Sequence, residues 1–301
     1  MDREHFIITV YCLVCEHYCA VTAAKPIRHG GFEPALSDEE VITIELCGEF
    51  FKVGGDQEIF DHFHESYAAW FPQLQDRTVF VRQAANLWQV KAAIQQRLTI
   101  VSGQADDPVQ IIDTLPLPVC GYTRSARDHC FKPDADYGFC AAKQLKYYGF
   151  KLGLRLSRRG MITHFPLLPA RTHDIQLLDD LVDGFAGTVP ADKGFIDQVR
   201  QTLLAERGVV VITPPRKNMA AMHSRQVLKV CKRLRKRIET VGSHLTERFA
   251  IARIRVRDLW HFQHRIVRKV LAHTVGVFLN LQLGRAPLDL DGLLDAESVA
   301  H

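Results

Sequence analysis

The chain has 301 residues, 47% of them hydrophobic and 24% charged, which is material for one large domain or two modest ones with a buried core. A formal net charge of +4 is too small for bulk charge to identify a partner. The eight Cys are scattered at 12, 15, 19, 47, 120, 130, 140 and 231; no second pair answers Cys12 and Cys15 at finger-like spacing, so they are expected to face a helical core as small apolar groups. The apolar Phe6–Val14 run follows no charged leader with a cleavage site and is too short to span a bilayer. A cytoplasmic chain with no membrane partner is expected.

Residues 1–105 read as helical. Ser37-Asp38-Glu39-Glu40 fits a capping box, with apolar positions following at Val41, Ile44, Leu46 and Phe50. Gly54-Gly55 breaks that helix. A second amphipathic run carries Ile59, Phe60, Phe63, Tyr67 and Trp70, and a third extends from Thr78 to Ile100. An all-helical N-terminal domain, serving DNA binding or assembly, is expected here.

The pattern changes at Asp106-Asp107-Pro108. Val109–Ile112 is a short apolar strand, and Lys151–Leu156 alternates as a half-exposed strand. Ser157–Gly160 turns into a hairpin partner over Met161–Leu168. Helix is predicted over His173–Phe185, strand over Val189–Ala191, helix over Ile196–Glu206 and strand over Gly208–Ile212. A long basic helix then runs over Ser224–Leu245. The order describes an α/β (α+β) domain over 106–283, a mixed sheet flanked by helices. Cys120–Lys146 is an irregular loop in this reading, and 284–301 a loosely held acidic tail.

Three carboxylates stand out. Asp113 ends the apolar run Val109–Ile112, and Asp192 ends Thr188-Val189-Pro190-Ala191. Glu239 is the lone acid on a helix thick with Lys and Arg, at the margin of the apolar stripe Val227, Cys231, Leu234, Ile238, Val241 and Leu245. Between Arg216 and Arg237 there are nine Lys or Arg, at 216, 217, 225, 229, 232, 233, 235, 236 and 237, with no Asp or Glu. Such a block suits a phosphate backbone. Arg225, Lys229, Lys232, Arg233, Arg235, Lys236 and Arg237 are the expected DNA contacts. Arg253, Arg255, Arg257, Arg265, Arg268 and Lys269 extend the positive surface. Cutting a phosphodiester in line builds charge on the attacked phosphorus and the leaving oxygen, which two divalent ions held by converging carboxylates can stabilise.

The segments Ile111-Ile112-Asp113, Ala191-Asp192-Lys193-Gly194-Phe195 and Arg237-Ile238-Glu239-Thr240-Val241, with Leu36–Ile42 upstream, resemble DDE transposases of bacterial insertion sequences, specifically the IS982 family. The resemblance covers nearly the whole chain. It implies an RNase H-like catalytic domain, strand cleavage and transfer at terminal inverted repeats, and Asp113, Asp192 and Glu239 as catalytic ligands of two Mg2+ ions, with Mn2+ an alternative. Double-stranded DNA would be the partner and a homodimer the assembly. In related transposases a Tyr, an Arg and a Lys surround the glutamate; here Arg235 takes the Arg place, Lys232 the Tyr place and Thr246 the Lys place, with Arg248 as a substitute distal cation.

Other acids have plainer explanations. Asp174, Asp179, Asp180 and Asp183 suit helix caps and solvated faces, Asp134 and Asp136 suit turns, and Asp197 opens a helix. His261 and His264 with Trp260 and Phe262 read as a packed helix face. No Gly-x-x-x-x-Gly-Lys-Ser/Thr loop is present, so no nucleotide cofactor is expected. No Gly-x-Ser-x-Gly elbow is present either. A DNA-binding regulator without catalysis and an RNase H-like nuclease without strand transfer are the alternative readings.

Overall fold

The structure is a computed structural model and describes residues 1–24, 27, 30, 33–140, 144–216, 218–219 and 223–295. Lys217 of the basic block and residues 296–301 of the acidic stretch lie outside the described residues. In chain order the elements are α1 (Arg3–Ala24), α2 (Asp38–Phe50), α3 (Asp56–Ser66), α4 (Arg77–Asn86), α5 (Trp88–Val101), β1 (Gln110–Gly121), β2 (Asp136–Cys140), β3 (Leu145–Ser157), β4 (Ile162–His164), β5 (Leu167–Pro169), α6 (Asp174–Leu181), β6 (Gly187–Pro190), α7 (Gln198–Glu206), β7 (Val209–Ile212), α8 (Arg225–Ser243) and α9 (Leu259–Gln282). They form two compact units. A helical unit takes Met1–Val101, Glu247–Phe249 and Trp260–His301; a sheet-containing unit takes Ser102–Thr246 and Ala250–Leu259.

In the helical unit, Ser37 and Glu40 close the predicted capping box: Ser37 Oγ accepts the Glu40 amide at 3.2 Å and Glu40 Oε2 accepts the Ser37 amide at 2.8 Å. The Phe6–Val14 run turns out to be part of the 22-residue α1, whose Arg3–Ala23 stretch is long and apolar enough to cross a membrane by length and composition alone. One face of it packs inward, with Phe6, Ile7, Val10, Leu13 and Val14 buried and the Phe6 ring 4.7 Å from that of Phe50, while Ile8 and Tyr11 on the other face are exposed. The helix predicted over Thr78–Ile100 is two helices, because the Leu87 amide tightens onto the Gln83, Ala84 and Ala85 carbonyls and ends α4.

The cations of α9 were expected on the surface, but Arg268 and Lys269 are buried and paired. Arg268 Nε lies 2.7 Å from Glu49 Oε1, Arg268 Nη1 2.7 Å from Asp56 Oδ1, and Lys269 Nζ 2.8 Å from Glu49 Oε2. Buried Lys91 joins them through Glu45 Oε2 at 2.5 Å. Burial opposes the charged form of Asp56, yet Arg268 and Arg265 outweigh it and hold the carboxyl down at about 2. These partners explain why α9 groups with the N-terminal helices although the sequence suggested one domain over 106–283. The tail beyond 283 is also packed as far as it is described: Leu290, Leu293 and Leu294 are buried, and Asn280 Nδ2 donates to the Pro287 and Asp289 carbonyls at 3.2 and 2.9 Å. Of the cysteines, only Cys47 and Cys231 are buried, so the expected core role fails for the rest.

In the second unit β1 runs antiparallel to β3, and β3 pairs antiparallel with β2, β4 and β5 along its other edge. β6 and β7 are parallel. A parallel bridge between Val109 and Thr188, reinforced by the Thr188 amide on the Pro108 carbonyl at 2.8 Å, joins the two sheets. The unit is therefore a mixed α/β structure, as expected. The segment read as an irregular loop holds the end of β1, a short helical turn at Tyr122–Arg127 and β2.

β1 is longer than its apolar start suggests, because Pro116 and Pro118 stand in it without breaking it. Beyond the Val109 bridge no described strand pairs with the second edge of β1, so a missing N–H there costs no ladder bond. Ile112, Val189, Ala191, Val209 and Val211 form a core with Leu177, Leu178, Leu181 of α6 and Leu204 of α7. Gly153 permits that approach, since a Cβ there would sit 3.0 Å from Leu181 Cδ2. α8 packs against β1 and β6, burying Cys231, Ile238 and Val241.

Candidate active site

Strand alternation decides where the two aspartates point. Ile112 and Ala191 face the α6–α7 core, so their successors Asp113 and Asp192 turn to the opposite face. Four residues on from the Val109–Thr188 bridge lie Asp113 on β1 and Asp192 just past the end of β6. Asp113 is not at a strand end, as the sequence suggested, but the fourth residue of β1, opposite Leu154 of β3. Asp192 does follow the end of β6. The two carboxylates share a habit: Asp113 Oδ1 accepts the Thr114 amide at 2.8 Å, and Asp192 Oδ1 accepts the Lys193 amide at 2.7 Å.

Their fields meet. Burial, above all, raises the Asp113 pKa, and nearby Asp192 and Asp174 raise it further. The Thr114 amide and Arg235 pull it down, leaving it at about 6. Arg235 comes from α8 and places Nη1 3.2 Å from Asp192 Oδ1.

Along α8, positions 225, 229, 232, 235 and 239 recur every three or four residues and so share one flank. Four of them, Arg225, Lys229, Lys232 and Arg235, line a cavity of about 510 Å³ whose other wall is Ala191, Asp192, Lys193, Ile212 and Pro214. Arg233 and Lys236 are exposed and Arg237 half-buried, and none of the three lines that cavity. Val227, expected in the apolar stripe, is 39% exposed, so the start of α8 stands off the core while Cys231, Ile238, Val241 and Leu245 stay in it.

Glu239 is exposed, one helical turn past Arg235 on the flank that carries Arg235 to Asp192. Among the described residues no group of three or more His, Cys, Asp or Glu is gathered closely enough to hold a metal ion. Asp113 and Asp192 are near enough for their charges to interact, and Glu239 does not join them in such a group. Arg248, expected as the distal cation, belongs to the helical unit. Its side chain is 8% exposed, ion-paired with Asp291, and its guanidinium stands 5.4 Å from the Phe50 ring centre. Those contacts already engage it within the helical unit.

From the sequence, Asp174 suits a helix cap or a solvated face. It does sit in the first turn of α6, but its charge reaches Asp113, and Lys151 Nζ holds its Oδ1 at 2.8 Å. Lys193, which lines the cavity, was also not singled out. Asp197 caps α7, its Oδ1 accepting the Arg200 amide at 3.0 Å, as its position suggested.

The residues suit a hard divalent cation in one respect. Asp113 and Asp192 offer carboxylate oxygens whose charges influence one another, and one or two carboxylates suffice for Mg2+ when waters and substrate phosphates complete the shell. The raised pKa of Asp113 reflects burial first and the neighbouring acids Asp192 and Asp174 second, and a bound cation would favour its charged form.

Residues 103–259 match a family model described as a transposase DDE domain. No curated protein and no solved structure matches the chain.

Proposed function

Since the chain belongs to the transposase DDE domain family, we propose that it cleaves DNA at the ends of an insertion sequence and transfers the freed strand to a target. The observation that carries this reading is the Asp113–Asp192 pair on one sheet face, beside a cavity walled by Arg225, Lys229, Lys232 and Arg235. Carboxylates alone would repel a phosphodiester. Here the cations of α8 offset them, so a backbone phosphate is attracted to the same region where the acids stand.

In this reading Asp113 and Asp192 hold a divalent cation and Glu239 completes the set from α8. The bound ions would supply charge stabilisation to the attacking and leaving oxygens. Arg235 positions Asp192, and Lys229 and Lys232 seat phosphates. The order β4/β5, β3, β1, β6, β7, antiparallel as far as β1 and parallel after it, supports an RNase H-like domain. The segments around the three acids support IS982 membership. Two DNA ends need to be handled together, which favours a homodimer, and a DNA substrate favours a cytoplasmic setting.

The test is Mg2+-dependent nicking of a labelled terminal-repeat duplex, followed by joining of the new 3′-hydroxyl to a second duplex. Nicking without joining would leave a nuclease. Binding without nicking would leave a regulator, the reading to which the Arg235–Asp192 ion pair lends weight. No magnesium-dependent chemistry on any duplex sinks the proposal.

A further inference from the structure

The helical unit contains a second basic concavity, built from residues outside 103–259. A cavity of about 600 Å³ lies along α4 and beside the starts of α3 and α9, with Arg77, Arg82, Arg265, Trp260 and Asn86 among its walls. Arg77 and Arg82 are not fully buried, and no acid pairs with either among the described residues. Asp56 is the acid in the wall, and it is already shared: Arg268 Nη1 and Arg265 Nη2 each lie 2.7 Å from one of its oxygens. Arg265 still has a buried Nε with no hydrogen-bond partner among the described residues. Positive charge therefore exceeds negative charge around an open cavity, although separating cations is the cheaper arrangement for a solvated surface.

Trp260 adds an aromatic surface. It is 44% exposed at the start of α9 and is braced edge-on by Trp88, ring centres 5.7 Å apart. A large indole kept exposed beside arginines suits a ligand with both a flat ring and an anion. Arginine forks match phosphate oxygens, and indole faces stack on bases.

We propose that this cavity seats an unpaired DNA nucleotide, its phosphates on Arg77, Arg82 and Arg265 and its base on Trp260. The choice of DNA rests on the proposed function; the ring-plus-phosphate chemistry does not. A strand end freed or frayed during cleavage is such a ligand, whereas a fully paired duplex presents no open base face.

The test uses the full chain with Lys229→Ala and Lys232→Ala installed, so that the α8 cavity contributes less to binding. A fluorescent ten-nucleotide single strand, the matching duplex, a deoxynucleoside monophosphate and inorganic phosphate are titrated in turn. The single strand is expected to bind most tightly and to quench tryptophan emission, the quench vanishing in Trp260→Phe while affinity persists. Trp260→Ala is expected to cost roughly tenfold in affinity. Arg77→Ala with Arg82→Ala is expected to lower the salt slope by about 0.7 for each phosphate no longer neutralised. Neither arginine is in the core, and an unchanged far-ultraviolet spectrum shows that the variant folds. Equal affinity for monophosphate and strand overturns the proposal in favour of a small-anion site. An unchanged salt slope, or an unchanged affinity in Trp260→Ala, also overturns it. Failure here with nicking intact leaves the proposed function standing, and the converse result separates the two in the other direction.

Discussion

Arg235 Nη1 stands 3.2 Å from Asp192 Oδ1, tying the middle of α8 to the turn after β6. The same guanidinium lowers the Asp113 pKa against burial and two neighbouring acids. Removing it takes away a favourable field, so the Asp113 pKa is expected to rise further. Arg235→Ala is therefore expected to slow nicking at pH 7 by roughly tenfold or more and to move the acid limb of the pH–rate profile upward. Arg235→Lys should restore most of the limb's position. An acid limb that stays in place in both variants would remove Arg235 from this role.

Asp113 also carries a stability cost. Its folded pKa of about 6 lies above the ordinary 3.8, so its charged form is disfavoured by folding. The sign follows: the penalty is absent below about pH 4 and grows as pH rises toward 6, where it levels off. Roughly two units correspond to an upper figure of about 3 kcal/mol. Asp113→Asn should accordingly raise the melting temperature in metal-free buffer at about pH 7.5, leave it nearly unchanged at about pH 4, and abolish nicking. Equal effects at both pH values would contradict this origin of the shift.

Glu239 offers a cleaner separation of chemistry from folding. It is exposed on α8, and exposed substitutions usually alter stability by less than about 0.5 kcal/mol. Glu239→Gln should leave the melting temperature and duplex affinity as they are while nicking falls by at least roughly a hundredfold. Retained nicking would exclude Glu239 from the catalytic set.

The cations on the cavity wall predict a salt signature. Lys229 and Lys232 each neutralise one backbone phosphate in the proposed complex. Replacing both by Ala should reduce the slope of log K against log salt for duplex DNA by about 1.8. Replacing Arg233 and Arg237, which do not line the cavity, should change it less. The reverse order would place the DNA on another flank of α8.

In the helical unit, Glu45, Glu49 and Asp56 neutralise buried Lys91, Arg268 and Lys269. Glu49→Ala strands buried Lys269 and removes one of the three acids paired with Arg268, and breaking such a buried pair typically costs about 3–5 kcal/mol. Urea unfolding should register a loss of that order. A change below about 1 kcal/mol would mean that water reaches these groups.

What the sequence disclosed follows from the range of each interaction. Ser37 with Glu40, and Asp197 ahead of α7, act over three residues, so their pattern is visible in the chain itself. Asp113, Asp192 and the α8 cations could be picked out because apolar runs and a one-sign charge block are local signals too. Nothing local told Arg268 and Lys269 apart from surface cations; their partners lie more than two hundred residues away on α2 and α3. Asp174 has a sufficient local role as a first-turn acid, and that role masked its nearness to Asp113. The prolines in β1 look like strand breakers until its second edge is known to be unpaired among the described residues.

The return of α9 to the N-terminal helices has a consequence for biosynthesis. Residues 102–246 emerge from the ribosome between two halves of another folding unit, and Glu45, Glu49 and Asp56 must wait for Arg268 and Lys269 before they can be sealed from water. A nascent polypeptide stalled before residue 260 would carry a finished sheet and an unfinished helical bundle. Assembly of the whole is thereby deferred until translation has nearly ended.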